Sequence, residues 1–96
     1  MIIAEVSITP LGVGTSVSKY VKEAVRVIEE SGLKSSTGGM STTIESPDLD
    51  TLFKVIKAAE EAEINAGAKR ISMFIKIDDR RDKDATIYAK LKSLGK

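Results

Sequence analysis

The spacing of apolar residues switches period along this chain, and the order of the switches leaves few folds open. Residues 2–9, IIAEVSIT, alternate, with Ile2, Ala4, Val6 and Ile8 on one side and Ile3, Glu5, Ser7 and Thr9 on the other. Period two marks a strand buried on one face. Pro10 stops it, and LGVGTS forms a glycine-bearing loop. Val17, Tyr20, Val21, Ala24, Val25 and Ile28 then recur at helical spacing, with Ser16 placed to cap the start and Gly32 to end it. Residues 33–37 and 41–45 predict two short strands around the turn Gly38-Gly39-Met40, where glycine permits positive φ. SPDLD opens a second helix: Ser46 as cap, Pro47 in the first helical position, and Asp48 and Asp50 at the positive end of the dipole. Leu49, Leu52, Phe53, Ile56 and Ala59 form its stripe, and Gly67 ends it. RISMFIKI, residues 70–77, alternates again, setting Ile71, Met73, Ile75 and Ile77 against Ser72, Phe74 and Lys76. A short terminal helix follows, with Ala85, Tyr88 and Leu91 expected to turn inward.

The order β-α-β-β-α-β is the ferredoxin-like split arrangement. It predicts an α+β fold: a four-stranded antiparallel sheet in the order 4-1-3-2, two helices on one face and a short C-terminal helix. Residues 1–96 are expected to form one domain.

Composition narrows the chemistry. The chain has no cysteine, histidine or tryptophan, so neither a disulfide framework nor a cysteine–histidine zinc site is open to it. A Ser-His-Asp or Cys-His catalytic centre is excluded on the same ground. No metal site and no cofactor are expected. The formal net charge of +1 names no partner, and Phe74 alone on a sheet face that also carries Glu5 and Glu45 argues against RNA. No apolar run approaches the ~20 residues of a membrane span. MIIAEVSITP lacks a basic leader, so a soluble cytoplasmic protein is the expectation.

The stretch STGGMSTTIE, residues 36–45, is the least ordinary. In the predicted topology, one end of the molecule collects the Pro10–Ser16 loop, the start of the first helix and the Gly38–Met40 turn. Leu33 and Ile44 should face the helices. Ser35, Thr37 and Thr42 share their parity and should point into the same layer. A buried hydroxyl without a partner costs about 1–3 kcal/mol, so three together point to bound water or a polar guest. The amide groups of Val17, Ser18 and Lys19 at the helix start add donors. The plainer reading is a short, polar edge strand whose hydroxyls are half exposed. Both stand at this point.

Taken in order, AEVSITPLG, TSVSKYV, SGLKSSTGGMSTTIES and IKIDDRRDK resemble the thiamine-binding-protein family of small ferredoxin-like proteins over roughly residues 2–84. The resemblance implies a non-catalytic protein that binds thiamine or its hydroxymethylpyrimidine moiety and assembles as a dimer or tetramer. On the matching positions it implies a ligand site at Ser16, Ser18, Met40, Thr42 and Thr43, to which the topology adds Val17, Ser35 and Thr37. It also implies subunit contacts through the charged run Asp78–Asp84, at Asp78, Arg80 and Arg81. The open sheet face, with Ile3 and Phe74 and with Lys76 beside Glu5 and Glu45, adds Phe74 and Lys76 to the expected interface, and the last strand is apolar for an unprotected edge. The alternative function is a regulatory or scaffold oligomer without a working pocket. An enzyme on this fold finds little support: PLGVGTS carries no arginine, and Asn65 is the lone asparagine.

Overall fold

The computed structural model describes residues 1–96. Its elements are β1 (Ile2–Pro10), α1 (Ser18–Glu30), β2 (Ser35–Thr37), β3 (Thr42–Ser46), α2 (Leu49–Asn65), β4 (Ile71–Asp79) and α3 (Ile87–Ser93). The sheet runs β2-β3-β1-β4, with every neighbouring pair antiparallel. This is the ferredoxin-like α+β arrangement expected from the period switches.

Ile2, Ala4, Val6 and Ile8 of β1 meet Ile44 of β3, Ala24 and Ile28 of α1, and Leu52, Ile56 and Ala59 of α2 in one buried cluster. Burying each of the valine, isoleucine and leucine side chains contributes about 1.5–3 kcal/mol. Gly32 and Gly67, at φ +87° and +118°, end α1 and α2 where left-handed backbone is needed. Gly38 and Gly39 do not have positive φ, so the β2–β3 turn uses them for openness; a Cβ on Gly39 would meet nothing within 4 Å.

Three local expectations are corrected. Ser46 does not cap α2. It is the buried last residue of β3, and its hydroxyl donates to the Asp48 carbonyl at 2.8 Å. The cap is Asp48, whose carboxylate accepts from the Thr51 amide at 2.7 Å, and Pro47 lies outside the helix. Ser16 does not cap α1 either, since that position is taken by Val17 without a side-chain hydrogen bond. In α3 only the preceding Ala85 is buried; Tyr88 and Leu91 are exposed. The short helix is seated at its start instead: Glu45, on the sheet face away from α1 and α2, accepts from the Ile87 amide, and Lys90 reaches Asp78 at 2.6 Å.

Leu49 and Phe53 are also exposed, while Glu63 is fully buried on the sheet-facing side of α2. Neither oxygen of its carboxylate has a partner. Burial, with a smaller contribution from the neighbouring Glu60 charge, raises the Glu63 pKa from 4.5 to about 7.

Candidate functional site

The site follows from a mismatch in strand length. β1 pairs with β4 over its full nine residues, from Ile2↔Asp79 to Pro10↔Ile71. On its other edge β1 pairs with β3 only from Ile2↔Ser46 to Val6↔Thr42. Beyond Thr42 the chain leaves the sheet through the turn Gly38–Ser41, closed by the Gly38 amide on the Ser41 carbonyl at 2.8 Å. The upper end of β1 therefore has no neighbour where β3 should continue. α1 passes over this gap and roofs it.

The result is a notch of about 290 Å³. Val17, at the cap of α1, and Val21, Ala24, Val25 and Ile28 of the helix form one wall. Val6 to Thr9 of β1 form the floor, and Thr37 to Thr42 the third side. No charged side chain lines it. Thr42 is 4 % exposed, and its hydroxyl lies 3.4 Å from that of Thr37. At the mouth stands Met40, 90 % exposed. The turn that carries it is tied from the other sheet face, where the Ser41 hydroxyl donates to Glu5 at 3.1 Å.

Of the residues expected at a site, the structure brings Val17, Thr37, Met40 and Thr42 together here. Ser35, level with Ile44, lies on the same face as Thr37 but deeper along the sheet, outside the notch lining. Ser16 is exposed in the loop before α1. Ser18, also exposed, lines a separate shoulder with Lys19, Lys22 and Ala66. Thr43, opposite Glu5, takes the other parity and sits on the far side of the sheet. The sequence also gave no sign that the α1 valines would line a gap. They keep the spacing of core residues, yet Val17, Val21 and Val25 are only half buried.

Of the charged residues expected at a subunit contact, Asp78, Arg80 and Arg81 are paired within the chain. Arg80 binds Asp82 through two contacts of 2.7 and 3.0 Å and holds its carboxyl down to about 2. Arg81 reaches Asp79 at 3.0 Å. Lys90 holds Asp78 below the usual carboxylate range. A wider depression of about 630 Å³ borders this loop at the opposite end of the molecule, but its lining is mostly charged side chains, several of them paired with one another. The notch, with an apolar wall and a few hydroxyls, is the better small-molecule site. Phe74, 57 % exposed, and Lys76 lie on the open sheet face.

Fold and notch together define a ferredoxin-like domain with one uncharged recess between its first helix and its sheet. Residues 4–95 match the family of thiamine-binding proteins, and the chain belongs to that family. It is 47 % identical over 94 residues to UPF0045 protein MJ1052 of Methanocaldococcus jannaschii, covering 98 % of this chain and 92 % of that protein. The crystal structure of MJ1052 matches with a TM-score of 0.89 over 98 % of this chain and 95 % of the solved one. UPF0045 protein YqgV of Bacillus subtilis is 42 % identical over 101 residues, covering 100 % of this chain and 96 % of its own. A Thermotoga maritima protein, named for a role in thiamine biosynthesis or salvage, shares the fold at a TM-score of 0.82 and 19 % identity over 97 % of each chain. No helix is long and apolar enough to cross a membrane.

Proposed function

We propose that this chain is a non-catalytic binding protein for thiamine or its hydroxymethylpyrimidine moiety, working in the cytoplasm as a homo-oligomer. The observation that carries the reading is the notch, which has an apolar helix wall, the Thr37 and Thr42 hydroxyls and no charge. Its volume lies at the lower end of the ~300–1,000 Å³ typical of small-molecule sites, enough for one substituted ring. The valines of α1 supply area for a ring face, and Met40 can close over it, since thioether–ring contacts are modestly favourable. Membership of the thiamine-binding family supports the same ligand class. No pair of groups with opposed pKa shifts lines the notch, and acid–base chemistry depends on such a pair.

The oligomer rests on β4. This strand has nine residues, no proline and a regular register, and it pairs on one side alone. An edge of that length and apolarity lacks the usual protections, and a second copy of the chain is the simplest cover.

Isothermal titration with thiamine, hydroxymethylpyrimidine and their phosphates tests the ligand. Saturable binding of at least one, lost on filling the notch by Val25→Trp, is the expected result. No heat and no thermal shift with any of them at millimolar concentration overturns it.

A further inference from the structure

The floor of the notch carries a hydrogen-bonding pair that no side chain reveals. Strand parity fixes where the main chain of β1 points. The Leu11 amide donates to the Arg70 carbonyl at 2.7 Å, so odd-numbered residues of β1 turn their N–H and C=O toward β4, and even-numbered ones toward β3. Ile2, Ala4 and Val6 meet β3 partners at Ser46, Ile44 and Thr42. Ile8 is next in that series and has none: the β1–β3 register ends at Val6↔Thr42, so the Ile8 N–H and C=O turn toward the missing continuation of β3, although the residue is buried. Pro10, one step further, has no N–H at all. Ile8 is thus the one complete donor–acceptor pair on this length of edge, and it opens into the notch.

Unpaired main-chain groups at a buried position cost free energy, and a strand edge is a standing template for whatever can continue the sheet. We propose that the Ile8 main chain reads the ligand by its edge. A flat, uncharged heteroaromatic ring carrying an exocyclic amine beside a ring nitrogen takes the place of the missing β3 residue. The amine donates to the Ile8 carbonyl, and the ring nitrogen accepts from the Ile8 amide. One ring face then lies toward Val21 and Val25 of α1, and Thr37 and Thr42 face the rim. The inference rests on the small-ligand reading above and adds the group that selects the ring.

The test pairs two measurements. Amide hydrogen exchange by NMR compares Ile8 with Ala4, whose amide faces β3 in the same strand. In the free protein the Ile8 amide should exchange at least tenfold faster than that of Ala4, and saturating 4-amino-5-hydroxymethyl-2-methylpyrimidine should slow it at least tenfold. Titration with the same ring lacking the amine should show affinity at least tenfold weaker. Binding of both rings with equal affinity, or an Ile8 amide whose exchange is unchanged in the bound state, overturns the edge reading and leaves the notch as a binding site. Failure of every ring compound to bind overturns the small-ligand reading and this one with it.

Discussion

Glu63→Gln should abolish a pH dependence of stability that the wild-type chain shows between pH 5 and 8. Both Glu63 oxygens are buried and unpartnered. Burial, and after it the Glu60 charge, holds the proton on up to about pH 7, whereas an unfolded chain releases it near 4.5. Across that window the native state binds more protons than the unfolded state, so stability falls as pH rises. It levels off once the folded group ionises. Ionisable groups from the packed elements offer no rescue. The core face of β1 and the stretch of β4 from Ile71 to Ile77 are apolar on this side, and the only neighbouring charge acting on Glu63, that of Glu60, is of like sign. At about 1.4 kcal/mol per pH unit the interval gives an upper bound near 3 kcal/mol. Relaxation and water penetration around an ionised buried group lower this cost, leaving about 1–2 kcal/mol. For a domain of this size that is a fall in Tm of roughly 5–12 °C. Asp48, Asp78 and Asp82 have pKa values below 3.8 and stay ionised throughout the window. Thermal unfolding followed by circular dichroism at pH 5, 6, 7 and 8 reads the effect. Wild type should lose Tm steadily, while Glu63→Gln should stay level and exceed wild type at pH 8. A wild-type Tm that is flat or rising, or a variant destabilised equally at every pH, refutes the reasoning.

Thr42→Val keeps the shape of the notch floor and removes a hydroxyl, so ligand affinity should fall about fivefold, near 1 kcal/mol, with the unfolding midpoint little changed; titration calorimetry checks this. On β4 the parity that turns the main chain of Arg70 toward β1 turns the main-chain N–H and C=O groups of Ile71, Met73, Ile75, Ile77 and Asp79 toward the free edge, while their side chains stay on the helix-facing side. A two-fold axis through Ile75 pairs the whole strand with a second copy, so Ile75→Cys should form an intermolecular disulfide under mild oxidation. Sedimentation of the wild type should show a dimer or larger, and a monomer at every concentration would contradict it. Asp48→Ala removes the cap on α2 and should lower Tm by a few degrees at pH 7. Because the Thr51 hydrogen bonds lower the Asp48 pKa, that difference should vanish as pH falls through and below the ordinary 3.8.

Much of the fold was legible because period and topology reinforce each other. Alternation in IIAEVSIT and RISMFIKI, helical spacing from Val17 to Ile28, and glycines after both helices were enough to order the strands. Helix starts were less legible. Ser46-Pro47-Asp48 offers two capping residues, and the choice fell to Asp48 because Ser46 is held in β3 by its pairing with Ile2. Part of the site was legible by parity: Thr37 and Thr42 do face α1. Thr43 could not join them, because adjacent strand residues take opposite faces. Val21 and Val25 look like core in any helical projection, and only the neighbouring strand lengths separate a filled layer from a gap. A nine-residue β1 beside a five-residue β3 was the available signal. Ile8 stayed hidden for the same reason, since its contribution is made by main-chain atoms. Glu63 broke the pattern outright: a carboxylate on the buried face of α2 follows from no periodicity.

The most direct measurement is NMR shift mapping of the backbone amides during titration with hydroxymethylpyrimidine. The notch account predicts the largest changes at Ile8, Val21 and Thr42, with the Asp79–Asp84 loop unaffected. Changes centred on that loop, or none anywhere at saturating ligand, would contradict it.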